Sequence, residues 1–91
     1  MDGRPRFPLG RIEITCKARA MLTFLDALNG LRSHAIGDWG LLPIEEWWEN
    51  ELSINDGYAV QSVHLASNGK RFRIVTNPNR SVTTIKLPSE S

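Results

Sequence analysis

His64, Arg73 and Thr84 are residue types that can act together on a phosphate. An imidazole moves protons near neutral pH, a guanidinium holds anionic oxygens, and a hydroxyl orients them. Their alignment depends on the turns between them. Asn68-Gly69 between two β-branched runs has the form of a two-residue type I′ hairpin. With that turn Leu65 faces Phe72 and Val63 faces Ile74. With a second loop at 77–80, Ile74 faces Thr83 and Phe72 faces Ile85. Val63, Leu65, Phe72, Ile74 and Ile85 then share an apolar face. The opposite face collects Ser62, His64, Arg71, Arg73, Val75, Val82, Thr84 and Lys86. His64, Arg73 and Thr84 form one cross-strand row there, with Arg71 opposite Lys86. Period-two alternation means that a one-residue slip would exchange the two faces. A basic face of this kind fits a phosphate backbone, and His64 with Arg73 could cleave RNA. Against that, it lacks the aromatic platforms on which single-stranded bases stack. Simple solvation, or cover by an acidic helix, explains the same residues.

A second candidate is His34 with Asp38, four residues apart and beside Trp39. The functional reading is a general base oriented by a carboxylate. The structural reading is a turn in which Asp38 takes backbone hydrogen bonds and Trp39 fills the core. Gly37 and Gly40 bracket the pair and favour the turn. There is no phosphate loop, GxGxxG or HExxH, and one cysteine with two histidines gives no zinc-ligand spacing. No catalytic residue, metal or cofactor is assigned.

The elements that must position these residues are legible in outline. Thr15 is a good N-cap for a helix from Cys16 to about Asn29, with Gly30 following as its C′ residue. Met21, Leu22, Leu25 and Leu28 make its apolar stripe, and Arg19, Thr23 and Asp26 its polar one. Pro43 suits the first turn of a second helix running to about Asn55 and ended by Gly57. Ile44, Trp47, Trp48 and Leu52 form one stripe on that helix, with one tryptophan expected to be buried and the other partly exposed. Residues 1–9 read as an extended arm, 10–88 as one α+β domain and 89–91 as a polar tail. The fold expected is two helices packed on a three-stranded antiparallel meander, with Arg11–Ile14 available as a fourth edge strand.

At 91 residues, 41% hydrophobic and 23% charged, the composition is that of an ordinary globular domain. The net charge of +1 hides a segregation. Residues 42–57 carry Glu45, Glu46, Glu49, Glu51 and Asp56 without a base, and residues 70–86 carry Lys70, Arg71, Arg73, Arg80 and Lys86 without an acid. Lone Cys16 cannot form an internal disulfide, and no apolar run reaches membrane-span length. A cytoplasmic location is the expectation.

Phe7-Pro8-Leu9-Gly10, Gly37-Asp38-Trp39-Gly40, Glu49-Asn50-Glu51-Leu52 and Arg80-Ser81-Val82-Thr83-Thr84 with Leu87-Pro88 occur in this order. In this the chain resembles a family of short bacterial proteins, found on plasmids and integrating elements and loosely labelled plasmid-related. The resemblance implies an accessory protein of mobile DNA that acts by binding a host enzyme, a defence complex or DNA, and it brings no catalytic roles. It departs from this chain at Cys16-Lys17, where the family has Pro-Gly, and at His64 and Arg73, where the family has aromatics. The expectations are therefore a non-enzymatic binding protein, a nucleic-acid binder or ribonuclease-like toxin using His64, Arg71, Arg73, Thr84 and Lys86, or a homodimer built through the sheet edge or the tryptophan helix.

Overall fold

The computed structural model describes residues 3–90, so the ends of the expected arm and tail, Met1, Asp2 and Ser91, lie outside the described residues. The fold is α+β, with three helices and a four-stranded mixed sheet. In chain order the elements are β1 (Arg11–Ile14), α1 (Cys16–Met21), α2 (Phe24–Ala35), α3 (Ile44–Asp56), β2 (Val60–Leu65), β3 (Arg71–Thr76) and β4 (Val82–Lys86). The sheet order is β1-β4-β3-β2, with β2, β3 and β4 antiparallel and β1 parallel to β4. Parallel pairing of β1 requires a crossover, and the helices supply it.

The single helix expected over 16–29 is two. Thr15 does cap the first, its hydroxyl accepting from the Ala18 amide, but that helix ends at Met21. Thr23 then starts α2 with a reciprocal capping box: its hydroxyl accepts from the Asp26 amide and the Asp26 carboxylate accepts from the Thr23 amide. Thr23 and Asp26, expected on a polar strip, are a helix start. Gly30 is not a C′ residue but sits inside α2, where a Cβ would lie 2.7 Å from the Phe72 ring. Its missing side chain lets α2 approach the sheet.

The hairpin register also differs from the expected one. The first turn holds three residues, Ser67, Asn68 and Gly69, closed by the Ala66 amide on the Lys70 carbonyl (2.8 Å). Only Gly69 takes positive φ, at 83°, where a type I′ turn needs two such residues. Tertiary contacts hold this longer loop. Asp26 accepts from the Ser67 amide (2.9 Å) and hydroxyl (3.1 Å), and the Asn68 side chain donates to the Met21 carbonyl (3.2 Å). The extra residue shifts β2 by one, pairing Ser62 with Ile74, Val63 with Arg73 and His64 with Phe72. The second turn shifts β4 by two, pairing Ile74 with Ile85 and Thr76 with Thr83, so its faces are unchanged. Ser62 and His64 therefore move to the helix-covered side, while Val63 and Leu65 move to the open side.

Two apolar clusters lie under the helices. One holds Ala18, Ala66, Phe72, Ile74 and Ile85, flanked by Ile14, Leu22 and Leu31. The other holds Phe7, Trp39 and Val60, flanked by Leu9, Trp47 and Ile54. Phe7 is 6% exposed, so part of the expected arm is core. The free edge of β2 is closed by side chain and loop. Asn50 donates to the Gln61 carbonyl (2.7 Å) and accepts from its amide (3.1 Å), as a neighbouring strand would. Farther along, Trp39 and Leu41 bond the amide and carbonyl of Val63. Gly40, at φ 73°, makes this approach feasible, because a Cβ there would overlap the Val63 carbonyl.

Candidate functional site

The expected row of His64, Arg73 and Thr84 does not form. Arg73 lies between Val63 and Lys86, and Thr84 lies beside Val75, one step away. Arg71, exposed at the end of β3, pairs with Leu65 and not with Lys86. What remains on the open face is a smaller basic set, Arg71, Arg73 and Lys86, with Arg73 and Lys86 directly opposed. Arg73 Nε is buried there without a hydrogen-bond partner among the described residues. A ribonuclease mechanism needing His64 and Arg73 on one phosphate has no geometric basis, because the sheet separates them.

His64 instead joins a buried polar chain with His34, and Asp38 takes no part in it. His64 Nε2 lies 2.8 Å from Ser62 Oγ, which lies 2.7 Å from His34 Nδ1. On the other side of the ring, His34 Nε2 lies 2.8 Å from Thr76 Oγ1, and Thr76 Oγ1 lies 2.7 Å from Thr83 Oγ1. Thr83 Oγ1 donates to the Leu9 carbonyl (2.7 Å). That last acceptor has no proton to give, so it sets the direction of every bond. Thr83 spends its proton on Leu9, Thr76 spends its own on Thr83, and His34 must donate through Nε2. His34 Nδ1 is then the acceptor for Ser62, and Ser62 accepts from His64 Nε2. Both imidazoles carry their proton on Nε2, and each hydroxyl makes one donation and one acceptance.

This Ser–His contact is not a nucleophile with its base. Ser62 and His34 are both 0% exposed, so no substrate reaches the hydroxyl. The second ring nitrogen donates to a threonine where an orienting carboxylate would be needed to support an imidazolium. Burial, with the nearby charges of His64 and Arg80, pushes the His34 pKa down to about 3. Burial also lowers the pKa of His64, opposed by Asp38. The His34 ring packs edge-on against Phe7 (5.4 Å) and Trp39 (5.6 Å). The chain is a core polar network that fixes strand register.

The glycine-bracketed turn is also architectural. Gly37 and Gly40 have φ of 85° and 73°, and Asp38 Oδ1 accepts from the Gly40 amide (3.2 Å). Trp39 is 0% exposed, and its indole N–H donates to Glu51 (3.1 Å). Glu51 also accepts two 2.8 Å bonds from Arg6, and these hold its pKa below the usual carboxylate range. Arg80, in the left-handed region at φ 61°, donates to the carbonyls of Ser53 (2.9 Å) and Tyr58 (2.7 Å). It supplies positive charge at the C-terminus of α3, whose own last turn has no base. Its guanidinium lies 5.5 Å from the Phe7 ring centroid.

The tryptophan helix α3, expected to bury one tryptophan and leave the other partly exposed, turns a whole apolar row outward. Trp47, Asn50 and Ile54 turn inward, which leaves Ile44, Trp48 and Leu52 at i, i+4 and i+8 facing out. They are 76%, 70% and 52% exposed, and Leu41, just before the helix, is 47% exposed. The expected single stripe is thus divided, with Trp47 half-buried and Trp48 in solvent. Glu45, Glu49 and Asp56 border the outward stripe on one side, and Glu51, tied to Arg6, lies on the other. The i, i+4, i+8 spacing was visible in the sequence. Its outward direction was not, since it depends on Asn50 docking at the β2 edge.

Among the described residues no group of three or more His, Cys, Asp or Glu could hold a metal ion, and no helix is long and apolar enough to cross a membrane. No family model, curated protein or solved structure matches the chain.

Proposed function

We propose that the protein is a non-enzymatic binding module whose recognition element is the outer face of α3. The observation that carries this reading is the row Ile44, Trp48 and Leu52, left in water on a helix whose opposite face is fully engaged. A tryptophan in solvent between two aliphatic residues costs solubility, and it is the residue type most enriched at binding hot spots. The helix carries only acidic charge, Glu45, Glu46, Glu49, Glu51 and Asp56. The complementary partner is a protein with an apolar groove and a basic rim, the geometry that receives an amphipathic helix. Six of the residues behind the family resemblance support the same conclusion from the other side. Phe7, Trp39, Asn50, Glu51, Arg80 and Thr83 are all occupied in holding the fold, and none is free for chemistry. An accessory protein of bacterial mobile DNA that contacts a host or defence protein fits this description. The test is capture of partners from bacterial cells by the wild type, by Trp48→Asp and by Glu45→Lys/Glu49→Lys. One discrete protein retained by the wild type and lost from both variants, at unchanged melting temperature, supports the proposal. Retention by all three contradicts it.

A second reading rests on the opposed Arg73 and Lys86 with the unpartnered Arg73 Nε. Like charges directly across a strand pair destabilise it, and an anion between them would relieve both. On that reading the open sheet face binds nucleic-acid phosphate without cleaving it. Salt-dependent RNA binding that Arg73→Ala weakens would favour it, and no binding at low salt would remove it.

A further inference from the structure

The two edges of the sheet are treated differently. The β2 edge is closed by the Asn50 amide and by the loop through Gly40. At the other end of the sheet order, no described strand pairs with the far side of β1. The Arg11 and Thr15 amides donate inward, to Ser81 and Ile85 of the β4 side. Alternation along the strand therefore turns the amide and carbonyl of Ile12 to the free edge. Ile12 is 44% exposed, and beside it runs an apolar groove between β1 and α2. The groove is two adjoining cavities of about 390 Å³ and 550 Å³ that share Ile12, Leu28 and Leu31. Phe24, on its wall, is 78% exposed.

The charge pattern identifies the occupant. Arg11 and Glu13 flank Ile12 on the opposite sheet face and form an exposed pair of 3.0 Å within the strand. An antiparallel strand of the same sequence, centred on Ile12, sets Arg11 against Glu13 of the second copy and Glu13 against its Arg11. Ile12 meets its counterpart at a hydrogen-bonded position, where each residue gives one amide and takes one carbonyl. A parallel strand or a shifted register loses this charge match. The two-fold axis stands normal to the sheet, so the helices of both copies stay on one side and their grooves meet across the seam. We infer that the protein forms a homodimer by antiparallel pairing of β1 with β1 of a second copy, giving one continuous eight-stranded sheet. This surface is separate from the outer face of α3, which stays free in the dimer.

The test is a charge cycle read by sedimentation at micromolar concentration. The wild type sediments as a dimer. Arg11→Glu and Glu13→Arg each replace two symmetric attractive pairs by repulsive ones and weaken association roughly tenfold or more. The double variant restores it. Position 12 provides an independent check, since Cα atoms at a hydrogen-bonded pair lie about 5.5 Å apart, within disulfide reach. Ile12→Cys in a Cys16→Ser background should cross-link to a dimer on mild oxidation. A monomeric wild type, single reversals without effect, or a double variant no better than the singles would overturn the proposal. Far-ultraviolet circular dichroism on each variant separates loss of pairing from loss of fold.

Discussion

Acid should weaken this protein well above the pH at which carboxylates titrate, and His34 is the reason. In the folded chain its ring is buried, accepts a hydrogen bond from the Ser62 hydroxyl through Nδ1, and has its pKa held at about 3. In the unfolded chain the same ring titrates near its ordinary value of about 6.5. Below that pH the unfolded state binds a proton that the folded state refuses, so stability falls as pH falls. The contribution is complete above pH 6.5 and is lost progressively toward pH 3. At pH 5 the unfolded ring is favoured by about 1.5 log units of protonation, which is about 2 kcal/mol. His64, whose pKa is also lowered, adds to the same slope. Asp26 and Glu51 have depressed pKa values and act in the same direction, but only at lower pH. Urea unfolding at pH 7.5 and pH 5 reads the effect, and the midpoint should fall by roughly 1–2 M. His34→Gln keeps an amide donor and acceptor but removes the titrating ring. It should be less stable at pH 7.5 and show a shallower dependence between the two pH values. Equal wild-type stability at both pH values, or a His34 ring resonance that titrates near 6.5 in the folded protein, would refute the reasoning.

Other outcomes follow from single contacts. Asn50→Ala strips both partners from the Gln61 backbone at the β2 edge and should cost about 2–3 kcal/mol in chemical denaturation. Gly40→Ala forces a side chain into the Val63 carbonyl at positive φ, and it should lower the melting temperature more than Gly57→Ala, where nothing lies within 4 Å. Phe7→Ala empties a buried ring site between His34 and Trp39 and should cost about 3–4 kcal/mol, which would show that residues once expected to be an arm belong to the core.

Much of the fold was legible because local signals and packing agreed. The Thr15 cap, the start of α3 after Pro43, its end at Gly57 and the edge strand at Arg11–Ile14 all match the sequence reading. The face assignments of β3 and β4 match as well, because a two-residue shift leaves alternation intact. The errors have one form. Asn68-Gly69 was read by its local preference for a two-residue turn, while Asp26 holds Ser67 in a three-residue one from 41 positions away. That one residue moved Ser62 and His64 from the open face into the core and dissolved the expected active-site row. Thr23 and Asp26 looked like a polar strip because a capping box inside a nearly continuous apolar pattern resembles one. His34 suggested chemistry by its type, but its partners Ser62 and Thr76, and Thr83 beyond Thr76, come from three strands distant in sequence. No spacing rule could have assembled them. The outward turn of Trp48 was hidden in the same way, since the rotation of α3 is fixed by the docking of Asn50 at the β2 edge and by the inward packing of Trp47 and Ile54.

Photo-crosslinking in living bacterial cells tests the central proposal most directly, with benzoylphenylalanine placed at position 48 on α3 or at position 65 on the open sheet face. If α3 is the recognition element, position 48 gives one discrete protein adduct that Glu45→Lys/Glu49→Lys abolishes, and position 65 gives none. Adducts formed from position 65 and not from position 48, or an adduct from position 48 that ignores the charge reversal, would contradict it.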